Sequence, residues 1–464
     1  MTTTLTGAQT QIVERYTART PRARELFDRA RRSLPAGSTR SLNSWQPHPI
    51  YVTRAAGTRV TDVDGNVYLD FLNNYSSLVL GHAHPAVIAA LSERLGDGTA
   101  FSYSNPLEVD LAERICERIP SVELVRFTNS GLEATLYAIK IARAASGRDR
   151  IAKFEGGYHG THDAVLVSVR PPLDQAGPRD APHSVADAAG VSRSAVEEAL
   201  VLPFNNLEAT TRLLHANRDT LAAVILEPVL GSGGVIPPAP GFLAGLREVT
   251  RELGLLLIFD EVISLRLAPG GAQEYYGVIP DLTAMGKLVG GGMPVGAYGG
   301  RADLMSLLEP SGIGEALDFR GGGPKIYQGG TFTGNPLTMA AGLATLDQLT
   351  PSEYHRLNAL GERLQSEVTR VCQELDAPVQ VSAVGSLFNI HFTREPMVDA
   401  RAPRSADGEM AHLFFLEMLN RGFILAPRGM GALSTPTEEA DVDAFVEAMR
   451  GALHLLYGNQ QEEG

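Results

Sequence analysis

The feature that most constrains the fold is an alternation of helical segments with short apolar runs between about residues 81 and 300. HPAVIAALSERL and PLEVDLAERICERI carry apolar residues at spacings of three and four, the period of an amphipathic helix. Between such segments lie runs rich in β-branched and aromatic residues: LVRF, IAKF, VLVSV, AAVILEP and LLLIFD. This order predicts an α/β fold with a mostly parallel sheet covered by helices on both faces.

The segments before and after this region have different patterns. The first forty residues are polar and helical up to a break at Pro35-Ala36-Gly37, and a β-like stretch with a hairpin turn at Asp64-Gly65 follows. Beyond about residue 335, helical stretches flank the strand-like runs QVSAVGSLFNIHF and GFILA. We therefore predict a small α+β domain built from both termini, and three regions along the chain: 1–80, an N-terminal segment partly in the small domain; 81–335, the large domain; and 336–464, the C-terminal small domain.

Residues 171–200 are rich in Pro and Ala and have no clear period, which predicts a surface loop or a lid.

The distribution of charge bears on the partners. The net charge is −13 and the basic residues form no runs, whereas nucleic acids and anionic membranes bind clustered positive charge. The sequence also lacks an apolar stretch of the roughly 20 residues that span a bilayer, and its N-terminus lacks the pattern of a secretory signal. Two cysteines favour neither a disulfide framework nor a cysteine-based metal site. We expect a cytoplasmic protein without a bound metal, nucleic acid or membrane.

A strand-turn-helix junction at Asn129-Ser130-Gly131 is the first candidate binding element. An apolar strand ends at Phe127 and a helix begins near Glu133. Such a junction directs backbone N–H groups and the positive end of the helix dipole to one point, which is how proteins hold phosphate. An ordinary helix N-cap has the same residues, so this motif alone does not separate the two interpretations.

Asp260 follows five apolar residues in LLLIFD, which predicts a carboxylate at the C-terminal end of a buried strand. Ligands bind at that edge of open α/β sheets. Burial of a carboxylate costs several kcal/mol unless a cation or hydrogen-bond donors pair with it. A protonated pyridine nitrogen is one such cation; a helix cap and a Mg²⁺ ion are the alternatives.

Chemistry that requires a lysine amine has four candidates, since the chain has only four lysines beside 36 arginines. Lys287 lies between Gly286 and the glycine run 290–292, where the backbone can approach a ligand closely. A lysine that attacks a carbonyl must be unprotonated, which requires a partly desolvated site. Lys140 lies mid-helix on a face expected to be solvated, and Lys153 lies in IAKF, where one face can be solvent. Lys325, after a second glycine run, is the strongest competitor.

Two further motifs contain groups that a cofactor can use. Thr331 and Thr333 flank a turn in YQGGTFTGNP, where hydroxyls can donate to phosphate, although turn chemistry alone explains them equally well. Tyr158 and His159 follow a strand in FEGGYHG. A core aromatic is the ordinary interpretation, and a ring stacked on a planar cofactor is the sharper one.

The order of these motifs resembles a known family. FTNSGLEA, KFEGGYHG, EPVLGSGG, LLIFDEVIS, GKLVGGGMPVGAYGG and GGTFTGNP look like the successive motifs of class III (omega-type) aminotransferases, which are pyridoxal-phosphate enzymes of fold type I. The similarity continues upstream in TDVDGNVYLDF and LGHAHP. Within the class the chain most resembles glutamate-1-semialdehyde aminomutase and the related aromatic β-amino acid aminotransferases.

The resemblance implies a cofactor, pyridoxal 5′-phosphate, and a role for each matching position. Lys287 would hold the cofactor as a Schiff base and move a proton between the substrate carbon and the cofactor, and Asp260 would pair with the pyridine nitrogen. The other cofactor contacts would be Ser130, Gly131 and Leu132 at the phosphate, Tyr158 and Val262 on the two ring faces, Glu227 in the site wall, and Thr331 from the neighbouring subunit of a homodimer with shared active sites.

Two positions depart from the family pattern. Leu132 replaces the usual threonine, which removes one hydroxyl donor to the phosphate. Ser232 stands where the aminomutase tends to carry asparagine, which favours a transaminase over a mutase.

A substrate carboxylate would need an arginine, whose planar fork matches the anion. Arg40, in PAGSTRS, resembles the carboxylate-binding arginine of the β-amino acid enzymes, and a surface arginine is the alternative interpretation. Arg428, in LAPRGMG, is a second candidate. Tyr75 would line the pocket or be a core tyrosine.

The resemblance thus implies an aminotransferase that moves an amino group between an amino donor, with a β-amino acid favoured, and a keto acid acceptor. The alternatives on the same scaffold are an aminomutase of the glutamate-1-semialdehyde type and, more distantly, a racemase or epimerase. A nucleotide-binding or scaffolding protein is disfavoured, because the sequence has neither a G-x-G-x-x-G after a first strand nor a G-x-x-x-x-G-K-[ST].

Overall fold

The chain forms two compact units in a computed structural model that describes residues 7–309 and 326–458. The larger unit comprises Pro85–Tyr354 and Met397–Ala402. The smaller unit comprises the described parts of Met1–His84, His355–Pro396 and Pro403–Gly464. The smaller unit therefore takes its residues from both ends of the chain, as predicted.

The described helices are distributed along the whole chain, and among them none is long and apolar enough to cross a membrane. In chain order they are α1 (Gly7–Arg19), α2 (Pro21–Ala30), α3 (Asn73–Ser76), α4 (Pro85–Leu95), α5 (Pro106–Arg118), α6 (Gly131–Ser146), α7 (Arg193–Glu198), α8 (Leu207–Asn217), α9 (Phe242–Glu252), α10 (Ala272–Tyr276), α11 (Ala302–Met305), α12 (Pro336–Gln348), α13 (Pro351–Glu374), α14 (Gly408–Asn420) and α15 (Glu439–Tyr457).

The described strands form three sheets. In chain order they are β1 (Val52–Ala56), β2 (Arg59–Asp62), β3 (Val67–Asp70), β4 (Leu124–Thr128), β5 (Arg150–Phe154), β6 (Ala199–Leu202), β7 (Leu221–Leu226), β8 (Leu256–Asp260), β9 (Leu282–Gly286), β10 (Gly296–Gly300), β11 (Gln380–Val384), β12 (Leu387–His391), β13 (Phe423–Ile424) and β14 (Met430–Ala432).

The large unit is built on a sheet with the strand order β4-β10-β9-β8-β7-β5-β6. β9, β8, β7, β5 and β6 are parallel, and only β10 runs antiparallel to its two neighbours. Alternate residues of β7 enter two cores: Ala223 and Ile225 pack in the cluster that contains α6, and Val224 and Leu226 pack in the cluster that contains residues of α8 and α9. Helices therefore cover both faces, which confirms the predicted α/β class.

Three details of this unit differ from the sequence prediction. VLVSV (165–169) is buried but forms only an isolated bridge between Val167 and Ala186, since Ser168 has a left-handed backbone (φ +48°) that interrupts a strand. The loop predicted for 171–200 ends in α7 and the start of β6. β10 was not predicted, because three of its five residues are glycines, which weaken a strand pattern.

The smaller unit contains the sheets β1-β2-β3-β13 and β11-β12-β14. The predicted hairpin turn at Asp64-Gly65 joins β2 to β3. Directly after β3 comes α3, whose four residues all have left-handed backbone angles, from φ +50° to +68°. Such a run is costly for residues other than glycine. Asp70 helps to hold it, since its carboxylate accepts the N–H groups of Leu72 and Asn73.

Candidate active site

Three ionisable side chains follow neighbouring strands of the large sheet. Asp260 is the last residue of β8, Lys287 comes directly after β9, and Glu227 comes directly after β7. Because these strands are adjacent and parallel, their C-terminal ends lie at the same edge of the sheet. The fold thus brings together an amine and two carboxylates that are far apart in sequence.

Lys287 has the properties of a reactive amine. Burial lowers the pKa of its ammonium group, and the negative charges of Asp260 and Glu227 act in the opposite direction. An amine with a lowered pKa is unprotonated more of the time and can attack a carbonyl carbon. Its backbone is left-handed, with φ +48°, which is uncommon for any residue that carries a Cβ.

Asp260 is held in one orientation by two donors. Its side chain is buried, the Val262 N–H donates to Oδ1 at 3.1 Å, and His159 Nδ1 donates to Oδ2 at 2.8 Å.

Glu227 is buried in a different environment. Burial, and then the negative charge of Asp260, raise the pKa of its carboxyl group to about 8, and the backbone N–H groups of Tyr158 and Ser232 and the charge of Lys287 lower it. Tyr158 N–H donates to Oε1 at 2.9 Å, and Gly231 N–H donates to Oε2 at 3.0 Å. The raised pKa favours the protonated form of this carboxyl group, and its two oxygens hold the loop that bears Tyr158 and the residues after β7.

The start of α6 lies against the same site. Ser130 caps the helix by accepting the Glu133 N–H, and the Glu133 carboxylate accepts the Asn129 N–H. A Cβ at Gly131 would lie 2.9 Å from Val262 Cγ2, and one at Gly286 would lie 3.4 Å from Gly131 Cα. The helix start is therefore packed tightly between the residues that follow Asp260 and precede Lys287. Its first N–H groups precede the i→i−4 ladder and suit an anion.

Leu132, Tyr158 and Val262 supply apolar surface around this point. Tyr158 is 41% exposed, so it is not a core aromatic, and burial and the charges of Asp260 and Glu227 raise the pKa of its hydroxyl. Leu132 packs on the backbone of Gly160, where a Cβ would lie 2.8 Å from Leu132 Cγ. The residue that replaces the family threonine thus supports the loop that carries Tyr158.

The other lysines lie elsewhere or outside the described residues. Lys140 is on the exposed face of α6, as predicted. The prediction for Lys153 was wrong, since it is fully buried and donates to Val167 O at 2.5 Å, and burial lowers the pKa of its amine to about 8. The apolar pattern of IAKF did not indicate a charge on the buried face. Lys325 lies outside the described residues.

Thr331 and Thr333 lie in an exposed turn before α12. Asn129 Nδ2 donates to Thr333 Oγ1 at 3.4 Å, which links this turn to the residue before Ser130 in the same chain. Thr331 is exposed and lines an open cavity of about 430 Å³ with Phe101 and Tyr103.

The candidate substrate residues lie in the smaller unit. Arg40 is exposed and donates to Asn74 Oδ1 at 3.1 Å. Tyr75 is partly buried: burial raises the pKa of its hydroxyl, and the positive charges of Arg40 and Arg428 oppose this. Burial lowers the pKa of the Arg428 guanidinium, and Tyr75 opposes it. The structure therefore groups Arg40, Tyr75 and Arg428 around α3.

Sequence reasoning missed His159 as a partner of Asp260. The only signal was its position beside Tyr158 in YHG, where we considered it as an aromatic residue. The contact joins residues that are 101 positions apart, and a sequence pattern does not report such pairs.

Comparison with known proteins agrees with this geometry. Residues 41–453 match the model of the class-III aminotransferase family. A curated relative, the glutamate-1-semialdehyde 2,1-aminomutase of Thermomicrobium roseum, is 42% identical over 435 residues, 92% of this chain and 97% of that protein. An omega-transaminase structure from Sphaerobacter thermophilus is 45% identical and covers 93% of this chain and 97% of its own (TM-score 0.87).

A β-phenylalanine aminotransferase from Variovorax paradoxus is 35% identical and covers 96% of both chains (TM-score 0.85). The family match spans most of the sequence, and the mostly parallel sheet covered by helices is the fold type I architecture of these relatives. This chain belongs to the class-III aminotransferase family.

Proposed function

We propose that this enzyme binds pyridoxal 5′-phosphate through Lys287 and transfers an amino group between an amino acid and a keto acid. One observation supports this most directly. Lys287 and the buried Asp260 lie at the same edge of the sheet and interact electrostatically, and burial lowers the pKa of the Lys287 amine. The cofactor fits this set of groups. Its aldehyde can condense with the neutral amine of Lys287, its cationic ring nitrogen can pair with the buried carboxylate of Asp260, and its phosphate can bind at the start of α6.

The residues divide the work as follows. Bound pyridoxal phosphate supplies an aldehyde that condenses with amines and a ring that withdraws electrons from the substrate carbon. Lys287 provides the amine that holds the cofactor and then accepts and returns the proton of the substrate carbon. Asp260, fixed by Val262 and His159, provides negative charge for the ring nitrogen. Glu227, whose pKa is raised by burial and by the charge of Asp260, would lie in the site wall mainly in its protonated form.

The first test is the covalent link to Lys287. The purified enzyme should absorb in the near-visible range, and borohydride should fix the cofactor on the peptide that contains Lys287. Lys287→Ala should abolish the reducible link, while Lys140→Ala, on the exposed face of α6, should leave it intact. A reducible link in the Lys287→Ala protein would refute the assignment.

For the substrate, we propose a carboxylate contact from Arg40, with a β-amino acid as the donor. The proximity of Arg40, Tyr75 and Arg428 supports an anion site, and the Variovorax relative is named for a β-amino acid. Arg40→Ala should raise KM for donors with a carboxylate and leave KM for simple amines unchanged. Arg54→Ala, at an exposed arginine of β1, is the control. Equal effects on both kinds of donor would exclude this role.

An aminomutase is the second candidate, because curated relatives at about 40% identity carry that name. A mutase converts its substrate to an isomer without an added acceptor. The discriminating experiment is a panel of amino donors with pyruvate and 2-oxoglutarate, run beside a control without any keto acid. Turnover that depends on the acceptor supports the transaminase.

We also propose a homodimer in which Thr331 completes the partner's site. The loops around Thr331 expose large apolar side chains: Phe101 (46%), Tyr103 (87%), Tyr327 (65%) and Phe332 (62%). Exposed apolar surface of this kind is typical of a protein interface. Sedimentation should give twice the chain mass at micromolar concentration.

A mixing experiment tests the shared site. If Thr331 acts across the interface, a hybrid of a Lys287→Ala subunit and a Thr331→Ala subunit contains one site with both changes and one site with neither. Hybrids should then regain activity well above either parent. If Thr331 acts within its own chain, every hybrid site carries one change and no such recovery occurs.

A further inference from the structure

The left-handed turn α3 lies among the candidate substrate residues. Tyr75 is one of its four residues, and its neighbour Asn74 accepts a hydrogen bond on Oδ1 from Arg40 Nη1 at 3.1 Å. The positive charges of Arg40 and Arg428 both act on the Tyr75 hydroxyl. The conformation of α3 therefore determines where Asn74 and Tyr75 stand relative to the arginine proposed to bind the substrate carboxylate.

This conformation is not the one that residues of these types prefer. The four residues of α3 have φ values from +50° to +68°, and none of them is glycine. A run of left-handed residues that carry a Cβ is strained and persists only where other contacts hold it. Because strain of this kind is concentrated at functional sites, the contacts that hold α3 are candidates for a functional role.

The loop that contains α3 is closed at its base by Asp70 and His82. Asp70 ends β3, and its Oδ1 accepts the N–H groups of Leu72 and Asn73 at 2.8 and 2.9 Å. Its Oδ2 lies 2.7 Å from Nε2 of His82, which is 12 residues later in the chain. Because a carboxylate oxygen accepts, Nε2 is the donor in this bond. Asp70, which is 6% exposed, thus holds the entry of the turn and joins it to the exit.

Other contacts anchor this loop independently of the side-chain pair. The N–H and the carbonyl oxygen of His82 bond with those of Gly57, each at 2.8 Å. Asn73 is fully buried and donates from Nδ2 to the carbonyl oxygen of Ala432 in β14 at 2.7 Å. Loss of the Asp70 carboxylate should therefore loosen the turn without detaching the loop from the small unit.

We propose that Asp70 is a positioning residue for donor specificity, which holds α3 in its left-handed form and thereby fixes Asn74 beside Arg40. This inference rests on the proposed function, in which Arg40 binds the substrate carboxylate. Asn74 is a neutral acceptor, so it orients the guanidinium and leaves its positive charge for that carboxylate. Without the Asp70 carboxylate the turn relaxes towards right-handed angles, and Arg40 loses its fixed partner. Donors with a carboxylate are then affected more than donors without one.

The test compares two donors that differ by a carboxylate, with pyruvate as the acceptor. β-Phenylalanine and 1-phenylethylamine share a phenyl ring and a benzylic amine, and only β-phenylalanine carries a carboxylate. In the holoenzyme, Asp70→Ala should raise KM for β-phenylalanine about tenfold, because a misplaced binding group weakens the contact it makes. Both kcat and KM for 1-phenylethylamine should stay within a few fold of wild type. Calorimetric titration with 3-phenylpropanoate, which has the carboxylate and lacks the amine, measures the same loss without turnover.

Two further variants separate the contacts of Asp70. Asp70→Asn keeps an oxygen for the two N–H groups and should restore most of the wild-type KM for β-phenylalanine. His82→Ala keeps those two bonds and removes only the link to the exit of the loop. It should raise the same KM by less than Asp70→Ala does, again without an effect on 1-phenylethylamine.

Asp62→Ala is the matched control. Asp62 is 2% exposed, accepts the N–H groups of Asp64 and Asn66 at 2.9 and 2.8 Å, and accepts the Tyr68 hydroxyl at 2.7 Å. It thus holds the turn between β2 and β3 as Asp70 holds α3, but its turn contains no candidate substrate residue. Asp62→Ala should lower stability and leave the ratio of the two KM values unchanged.

Two outcomes would overturn the proposal. If Asp70→Ala and Asp62→Ala change the ratio of the two KM values equally, Asp70 has only a structural role. If His82→Ala raises KM for both donors by the same factor, the pair does not act through the carboxylate contact. His82 is partly exposed, so this second measurement stands even if Asp70→Ala fails to fold. A wild-type enzyme that uses neither donor, or an Arg40→Ala enzyme with an unchanged KM for β-phenylalanine, would instead refute the proposed function.

Discussion

At the scale of single residues, the two buried carboxylates at the C-terminal edge of the large sheet differ in their neighbours. Asp260 and Glu227 are both buried carboxylates, but Asp260 is bonded to an imidazole and a backbone N–H, whereas Glu227 lies beside the charge of Asp260. Burial and the charge of Asp260 raise the pKa of the Glu227 carboxyl group, which favours its protonated form.

The raised pKa of Glu227 predicts a pH-dependent stability of the cofactor-free protein. Between the ordinary value of 4.5 and the folded value of about 8, the folded state binds more protons than the unfolded state. Stability is therefore highest below pH 4.5 as far as this group is concerned, and it declines as pH rises towards 8. Glu227→Gln should abolish that part of the decline, on the order of a few kcal/mol.

Urea unfolding of wild type and Glu227→Gln at pH 5 and pH 8 measures this difference. Glu208→Gln, at an exposed residue of α8, is the control. The same change between the two pH values in wild type and Glu227→Gln would exclude a protonated Glu227.

Leu132 offers a prediction that separates binding from packing. Leu132→Thr introduces a hydroxyl at the start of α6 that can donate to phosphate, which should tighten cofactor binding roughly tenfold. The same change removes packing on Gly160 and should destabilise the cofactor-free protein by about 1 kcal/mol. Leu132→Val is the control, because valine has nearly the same shape as threonine but lacks the hydroxyl. It should share the loss of stability and show no gain in affinity, and equal affinities for the two variants would contradict the prediction.

At the scale of elements, Arg401 makes hydrogen bonds to the segment that the sequence predicted as a surface loop or a lid. Its Nε donates to the buried carboxylate of Glu155 at 2.8 Å, and its Nη atoms donate to the carbonyl oxygens of Ala176 and Gly177 at 2.9 and 2.7 Å. Arg401 itself is only 8% exposed. One side chain thus connects the segment Met397–Ala402 to Glu155, directly after β5, and to the loop.

Arg401→Ala should lower the free energy of unfolding by about 3–5 kcal/mol, because it leaves the Glu155 carboxylate buried without its partner. The loop between residues 171 and 192 should become the first site of limited proteolysis. Arg179→Ala removes an exposed ion pair with Asp399 and should cost less than about 1 kcal/mol. Similar stability and cleavage in both variants would show that Arg401 does not hold the loop.

Several helices and strands could be predicted from the sequence alone, and others could not. The helical period and the apolar runs predicted α4, α5, β4, β5, β7 and β8, because a repeating pattern of apolar residues is visible in the sequence itself. The strand predicted for residues 165–169 was wrong, because a buried segment outside a sheet has the same apolar pattern as a buried strand. The strand order placed Asp260 and Lys287 at one edge as expected, whereas the partners of Asp260, Glu227 and Lys153 depend on long-range contacts.

At the scale of the whole molecule, cofactor binding should contribute to stability. A ligand that binds only the folded state adds about 2.7 kcal/mol at a hundred times its Kd. Pyridoxal phosphate should therefore raise the thermal midpoint, and Asp260→Asn should reduce this rise because the ring nitrogen loses its counter-charge. Asp219→Asn, at an exposed aspartate, should behave as wild type. Scanning calorimetry with and without cofactor measures the effect, and an undiminished rise in Asp260→Asn would exclude the pairing.

The left-handed backbone at Lys287 lowers the stability of the fold at the position whose side chain is proposed to bind the cofactor. A residue with a Cβ and φ +48° is strained relative to glycine. In cofactor-free protein, Lys287→Gly should therefore be more stable than Lys287→Ala by about 1 kcal/mol. Under the proposed function, the amine that binds the cofactor stands at a position where glycine would relieve the backbone strain.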